Sequence, residues 1–322
     1  MSLDLQTIET ARVYQDWKID LDRPEEAVVF PGPSKVPDEL IEFARVLATA
    51  VDEQSKKAAN PKSFVVFVPG AEDFGFRVTR QPTTRARRYS LRILNKDAPK
   101  LEDLGFKESY RKLMLNPELR RTGGLILISG VAGSGKTTTA SSIVSQRLTQ
   151  LGGFALTAED PPEYSLEGFH PGEGETQGYC EQTEVVGDPH EHLRELLRCF
   201  PARECAMLFY GEVRDSRGAA ELLRISLDGH LVIATIHASD IPDTLHRIIA
   251  LAVKDGEVDA ASMLGKSLRF VLHQRLDNGA LQVSALENTQ VVKSTIQRGD
   301  IQNGLTEELR LAQRRHSGPS MG

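Results

Sequence analysis

Eight consecutive residues, Gly130-Val131-Ala132-Gly133-Ser134-Gly135-Lys136-Thr137, carry the sharpest chemistry in the chain. The glycines let successive backbone N–H groups curl around an anion with no Cβ in the way. The apolar run Leu125-Ile126-Leu127-Ile128 precedes them, and Thr138-Thr139-Ala140 follows. That order predicts a strand, a glycine-rich turn and a helix start, the setting a phosphate-binding P-loop requires. The helix would present the positive end of its dipole to the same phosphates. Lys136 would reach the β- and γ-phosphates as a point charge, and Thr137 would place its hydroxyl on Mg²⁺. A glycine-rich turn without a ligand is the plain alternative, and the complete motif in a strand–helix setting weighs against it.

Three further segments narrow the chemistry. Ala158-Glu159-Asp160-Pro161-Pro162-Glu163-Tyr164 follows a second apolar strand and packs three carboxylates into five positions. In an open α/β sheet that strand end lies where ligands bind. A bound Mg²⁺ would relieve the repulsion and hold an attacking water. Met207-Leu208-Phe209-Tyr210-Gly211-Glu212-Val213-Arg214-Asp215 is an apolar strand ending in an acid, with Gly211 permitting close approach. Gly229-His230 through His237 sets a histidine at each end of another buried strand. A strand-end histidine is more often structural than chemical. Beside a P-loop, His237 could sense the γ-phosphate or orient a carboxylate, while His230 is evenly balanced between the two readings.

These residues need a scaffold, and the pattern supplies one. From Gly123 onward apolar runs at 125–129, 153–157, 206–210 and 231–236 alternate with helical segments at 136–151, 190–200 and 216–227. This alternation predicts a parallel sheet covered on both faces by helices. A mainly helical segment is expected from 241 to 311. Upstream, 37–59 reads as one amphipathic helix with Leu40, Phe43, Ala44, Leu47 and Val51 on its apolar face. Strands are expected at 63–68, 75–79 and 89–94, forming a mostly antiparallel sheet, with 81–88 as a polar loop. The domains are then 1–118, an α+β unit, and 119–312, with 313–322 a disordered tail.

Composition bounds the class. At 322 residues the chain has room for about two domains. No apolar stretch reaches the ~20 residues of a membrane span. The start, Met1-Ser2-Leu3-Asp4, carries no secretory signal pattern. Cys180, Cys199 and Cys205 are too few for a disulfide framework or a four-cysteine zinc site. A net charge of −6 weighs against a general nucleic-acid binder. The expected location is therefore cytoplasmic.

The four segments, in this order, resemble the Walker A, Asp box, Walker B and His box of the secretion ATPases of type II and type IV secretion and type IV pili. The likeness runs from about residue 76 to 303. Leu91-Arg92-Ile93-Leu94 with Leu101-Glu102-Asp103-Leu104-Gly105 is similar to the domain junction of the pilus-retraction (PilT-like) ATPases. Val292-Lys293-Ser294-Thr295-Ile296-Gln297-Arg298-Gly299 is a loose version of the family's C-terminal helix motif. With no cysteine beyond Cys205, the short plan is more similar to retraction or type IVB and conjugation ATPases than to assembly and export ones. Pro201-Ala202-Arg203-Glu204-Cys205 departs from the pattern by lengthening the approach to Walker B.

The resemblance implies an α/β fold: a P-loop RecA-like core, a smaller N-terminal α+β (PAS-like) domain and a helical C-terminal extension. It implies an ATP-hydrolysing motor with ATP and Mg²⁺, assembled as a homohexamer. The motor would be held peripherally at the inner membrane by a pilus or secretion platform protein, with no nucleic acid. ATP would be held by Gly130, Gly133, Ser134, Gly135, Lys136, Thr137 and Thr138, and Mg²⁺ by Thr137 and Glu212. Glu163 or Glu212 would be the general base, with His237 nearby. Arg77, Arg80, Arg85, Arg87, Arg88 and Arg92 crowd the first domain. Arg194 and Arg198, one helical turn apart, would share a face. Arg92, Arg194 and Arg198 are the expected catalytic arginines. A RecA-like nucleic-acid motor, a pilus assembly or export ATPase, and a non-hydrolysing switch are the rival readings.

Overall fold

The computed structural model describes residues 3–58, 62–83, 87–174, 176–185, 187–201 and 206–317. Arg85, the insertion at 202–205 with Cys205, and the tail from 318 lie outside the described residues. Two compact units result. The first holds Met1–Asp97 and Pro161–Ser165; the second holds Ala98–Asp160 and Leu166–Gly322.

The first unit contains α1 (Leu5–Arg12), β1 (Asp16–Asp20), β2 (Val28–Phe30), β3 (Ser34–Lys35), α2 (Ile41–Lys57), β4 (Ser63–Val68), β5 (Ala71–Arg80) and β6 (Arg88–Leu94). Its strands form one sheet in the order β3-β2-β1-β6-β5-β4, antiparallel throughout. The core of this unit is aromatic: Trp17 from β1, Phe43 from α2 and Phe76 from β5 are fully buried, with Trp17 and Phe43 ring centroids 5.3 Å apart. The helix expected over 37–59 begins later, because a single 3₁₀ turn occupies Asp38–Leu40. Strands β1 to β3 escaped the sequence reading because they are short: β1 offers only Trp17 and Ile19 as an inward-facing pair.

The second unit begins with α3 (Glu108–Met114) and α4 (Glu118–Thr122). β7 (Gly124–Gly130), α5 (Lys136–Leu151) and β8 (Gly153–Glu159) follow. Then come β9 (Gly168–Pro171), β10 (Gln177–Glu184), α6 (Pro189–Leu196), β11 (Met207–Tyr210), α7 (Ser216–Leu227) and β12 (Leu231–His237). The chain finishes with α8 (Ile241–Lys254), α9 (Ala260–Ser267), β13 (Leu268–Asp277), β14 (Ala280–Glu287), α10 (Gln290–Arg298), α11 (Ile301–Gly304) and α12 (Thr306–Ser317). The sheet order is β14-β13-β7-β12-β11-β8-β10-β9. The inner strands from β13 to β10 run parallel, and β14 and β9 return antiparallel at the two edges.

Both sheet faces are covered, which is why β7 is buried along its whole length. Leu125 and Leu127 point into the layer formed with α7, α8 and α9. Ile126 and Ile128 point the other way, towards Ile143 and Val144 of α5. This is a P-loop, RecA-like α/β core with helical elements at its C-terminal end, and the first unit is a smaller α+β body. The segment after 241 is less helical than expected, because the β13–β14 hairpin adds two strands to the sheet. The segment from 313 continues as α12 to Ser317.

Candidate functional site

The phosphate loop forms at the C-terminal end of β7. Its backbone needs glycine: Gly133 has φ +74° and Gly135 has φ +82°. At Gly130 the limit is space, since an added Cβ would lie 2.2 Å from the carbonyl oxygen of Gln274. Gln274, fully buried on β13, also donates Nε2–H to the Ser134 carbonyl at 2.6 Å. It braces the loop from behind. Within the second unit the loop opens on its other side, as nothing lies within 4 Å of a Cβ placed on Gly133. Ser134 Oγ is buried without a hydrogen-bond partner. An orphaned hydroxyl, an open turn of positive-φ glycines and the N-terminus of the 16-residue helix α5 fit a phosphate group. Thr137 and Thr138 are half-buried in the first turn of α5.

Parallel pairing brings the remaining parts to the same sheet edge. β12 pairs with β7 so that His237 lies opposite Gly130. β11 lies beside β12, and Glu212 follows its end. Lys136 Nζ donates to the Val131 carbonyl at 2.8 Å and lies 3.4 Å from His237 Nδ1. His237 Nε2 lies 2.7 Å from Glu212 Oε1. An ammonium only donates, so Nδ1 accepts and the ring proton sits on Nε2, which donates to Glu212. The result is a directional chain from Lys136 through His237 to Glu212.

Glu212 is tied on its other side as well. Arg214 Nε donates to Glu212 Oε2 at 2.5 Å, and Arg214 Nη1 reaches Asp160 Oδ2 at 3.1 Å. The hydrogen bond to Glu212 raises the Arg214 pKa. Gly211 permits this convergence: a Cβ there would come within 3.3 Å of the Glu159 backbone at the end of β8. Glu159 itself is buried and accepts from Gln182 Nε2 at 2.8 Å. Asp215 serves the backbone, capping α7 by accepting from Gly218 N–H at 2.7 Å. For Mg²⁺, the donor types are suitable: one hydroxyl on Thr137 and one carboxylate on Glu212, with room in the usual coordination for water and phosphate oxygens. Among the described residues no cluster of three or more His, Cys, Asp or Glu side chains forms a self-sufficient metal cage.

Other expected residues lie elsewhere. Glu163 belongs to the first unit. Its carboxylate pairs with Arg77 at 3.3 Å, its carbonyl accepts from Asn95 N–H, and Tyr164 bridges to Asn95. Arg92, also in the first unit, is exposed and pairs with Asp16 at 2.8 Å. Arg194 and Arg198 are exposed. They do not share an α-helical face, because α6 stops at Leu196 and Arg198 falls in a 3₁₀ turn. His230 is structural: it sits before β12, at the opposite sheet edge from the loop. Its ring stacks on Phe200 at 4.3 Å, and its Nδ1 faces Ala206 N–H. Sequence reasoning missed Arg214 as a clamp and Gln274 as a brace. A lone amide in the apolar run Phe270-Val271-Leu272-His273-Gln274 was the available signal.

Comparison with known proteins agrees with this geometry. The family model described as "Type II/IV secretion system protein" matches residues 39–303, and the chain belongs to that family. The family comprises secretion and pilus ATPases. Type II secretion system protein E of Pseudomonas aeruginosa is 34% identical over 209 residues, covering 64% of this chain and 38% of that protein. The type IV pilus assembly ATPase PilB of Myxococcus xanthus is 28% identical over 250 residues, covering 77% of this chain and 41% of that one. The chain thus spans about two fifths of the length of these relatives. Among solved structures, the pilus retraction motor PilT with bound ADP superposes with a TM-score of 0.72 at 23% identity, over 97% of this chain and 90% of that one. The Legionella pneumophila ATPase DotB superposes at 0.68 and 18% identity, over 95% and 87%. These two likenesses are likenesses of fold.

Proposed function

We propose that this chain is a Mg²⁺-dependent ATPase that works as a homohexameric motor of a type IV pilus, retraction-like, or of a related type IV secretion or conjugation system. The observation that carries the proposal is the bonded chain from Lys136 of the phosphate loop through His237 to Glu212. It joins the place where a γ-phosphate would sit to the acidic end of β11. The names of its relatives, pilus retraction motor and pilus assembly ATPase among them, support the same reading.

In this proposal the backbone of residues 131–137 and the Lys136 ammonium hold the phosphates. Ser134 gains the partner it lacks. Thr137 and Glu212 hold Mg²⁺, which when bound neutralises charge on the β- and γ-phosphate oxygens. With Glu212 assigned to the metal, Glu163 is left as the group that takes the proton of the attacking water. Arg77 orients Glu163. Arg92, Arg194 and Arg198 are proposed to act across a domain or subunit boundary, where a transferred arginine raises rates ~10³–10⁵-fold. No helix among the described residues is long and apolar enough to cross a membrane. Attachment from the cytoplasmic side of the inner membrane would therefore run through a platform protein.

The test is Mg²⁺-dependent ATP hydrolysis by wild type and Glu163→Gln, with mass followed by light scattering. Wild-type turnover should rise as the hexamer forms. The variant should bind ATP and hydrolyse it ~100-fold more slowly. Full turnover in the variant removes Glu163 as the base. Failure of the wild type to bind ATP removes the whole proposal.

A further inference from the structure

The segment that carries Glu163 leaves the sheet at Glu159, the last residue of β8, and returns at Leu166. Its first limb, Asp160-Pro161-Pro162, contains two prolines, which have a fixed φ and no N–H to offer. Its second limb is bonded along the backbone. Asn95 N–H donates to the Glu163 carbonyl at 3.2 Å, and Ser165 N–H donates to the Asn95 carbonyl at 2.9 Å. Leu166, next in the chain, is buried. Its N–H donates to Gln182 Oε1 at 3.0 Å, and its carbonyl accepts from His170 Nε2 at 2.8 Å.

Gln182, on β10, also reaches the root of the first limb. Its Nε2 donates to Glu159 Oε1 at 2.8 Å. Glu159 is 2% exposed, and a carboxylate buried that deeply needs donors. The neighbours fix which way the amide points. A backbone N–H only donates, so Oε1 faces Leu166; a carboxylate only accepts, so Nε2 faces Glu159. Gln182 is anchored in turn: its own N–H donates to Glu167 Oε2 at 2.5 Å, and it lies opposite Thr157 in the parallel pairing of β10 with β8. One side chain thus ties together the two ends of the segment.

We infer that Gln182 is a positioning residue for ATP hydrolysis: its amide closes the stem of the segment and so fixes the place of the Glu163 carboxylate. The inference rests on the reading of Glu163 as the base. A base must lie within hydrogen-bond reach of the water it serves, and a displacement of about 1 Å can cost ~100-fold in rate. Glu159, Leu166 and Glu167 all lie outside the phosphate loop. A slack stem should therefore lower kcat and spare the affinity for nucleotide.

The test compares Gln182→Met, alone and combined with Glu163→Gln, in the full chain. Methionine keeps the length of the side chain and removes both amide bonds. For Mg²⁺-dependent ATP hydrolysis kcat should fall about tenfold, with KM for ATP within about twofold of wild type. In the Glu163→Gln background the same substitution should lower kcat by less than about twofold, because the group it positions is gone. Gln182→Asn keeps the polarity but is too short to reach both ends, and should lose kcat likewise while folding as wild type does. Hydrogen exchange gives a readout that needs no turnover. In the nucleotide-free chain the Ser165 and Leu166 amides should exchange about tenfold faster in Gln182→Met, and the amides of α5 should not change. A tenfold loss that persists in full in the Glu163→Gln background overturns the inference. So does wild-type kcat in both Gln182 variants, a loss confined to KM, or unaltered exchange at Leu166. Wild-type turnover in Glu163→Gln is a different result: it removes the base itself and leaves Gln182 nothing to position.

Discussion

Glu212→Gln is the substitution on which the site's logic can be judged. The carboxylate accepts at both oxygens, from His237 at 2.7 Å and from Arg214 at 2.5 Å. A glutamine of the same shape has one accepting oxygen and one donating NH₂. Arginine only donates, and His237 donates from Nε2 because its Nδ1 faces the Lys136 ammonium. One of the two contacts must therefore become donor against donor and break. A hydrogen bond to a charged group contributes about 1.5–3 kcal/mol. His237 and Arg214 are substantially exposed, at 42% and 60% of their side chains, so solvent screening brings the expected loss to about 1–2 kcal/mol. The readout is urea unfolding for stability, with Mg²⁺-dependent ATP hydrolysis beside it. Stability should fall by that amount, and turnover should fall ~100-fold if, as proposed, this charge holds the metal. Glu163→Gln should instead keep its stability within about 0.5 kcal/mol, because it disturbs one partly exposed ion pair. Wild-type stability in Glu212→Gln would refute the assigned tautomer and the directional chain built on it.

Gly130→Ala places a Cβ 2.2 Å from a backbone oxygen of β13 and should cost roughly 2–4 kcal/mol. A thermal melt matching wild type would show that the brace from Gln274 is not rigid. Stability should also fall with acid in a defined window. Burial lowers the pKa of His192, His230, His273 and His316 below the ordinary 6.5. Each is neutral in the fold where the unfolded chain would already be protonated. Their contribution is thus complete above 6.5 and is lost as pH falls below it towards the lowered folded values. Asp188 and Asp243, held low by backbone hydrogen bonds, remain ionised in this window and do not mask the effect. The urea midpoint at about pH 5.5 should lie below that at about pH 7, and His230→Phe, which keeps the stack on Phe200, should narrow the gap. Equal midpoints would sink the argument.

The phosphate loop was legible because its eight residues are adjacent and its strand and helix flank it directly. β7 and β11, buried throughout, and β8 and β12, buried over most of their length, were legible as largely apolar runs. The β13–β14 hairpin was not seen, although Asn278-Gly279 marks its turn. Both residues have positive φ, +49° and +81°, as a two-residue hairpin loop demands. β9 and β10 were hidden because their polar, half-buried residues give no strong periodicity. Sequence places Glu212 and His237 at strand ends, but the bond between them depends on strand order, which sequence does not print. Arg214 read as part of a turn. Only the side-by-side placement of β8 and β11 brings it to Asp160.

The five residues Pro161–Ser165 bear on how the protein can be dissected. They leave the second unit after Asp160, take their place with Asn95 and Arg77, and return at Leu166. A fragment starting at Ala98 would keep Lys136, His237 and Glu212 intact, yet its Glu163 would be stripped of both partners. A fragment ending at Asp97 would keep the partners and have no Glu163 to hold. Silence from either fragment would report a severed segment rather than a missing motion, and only substitutions in the whole chain separate the two.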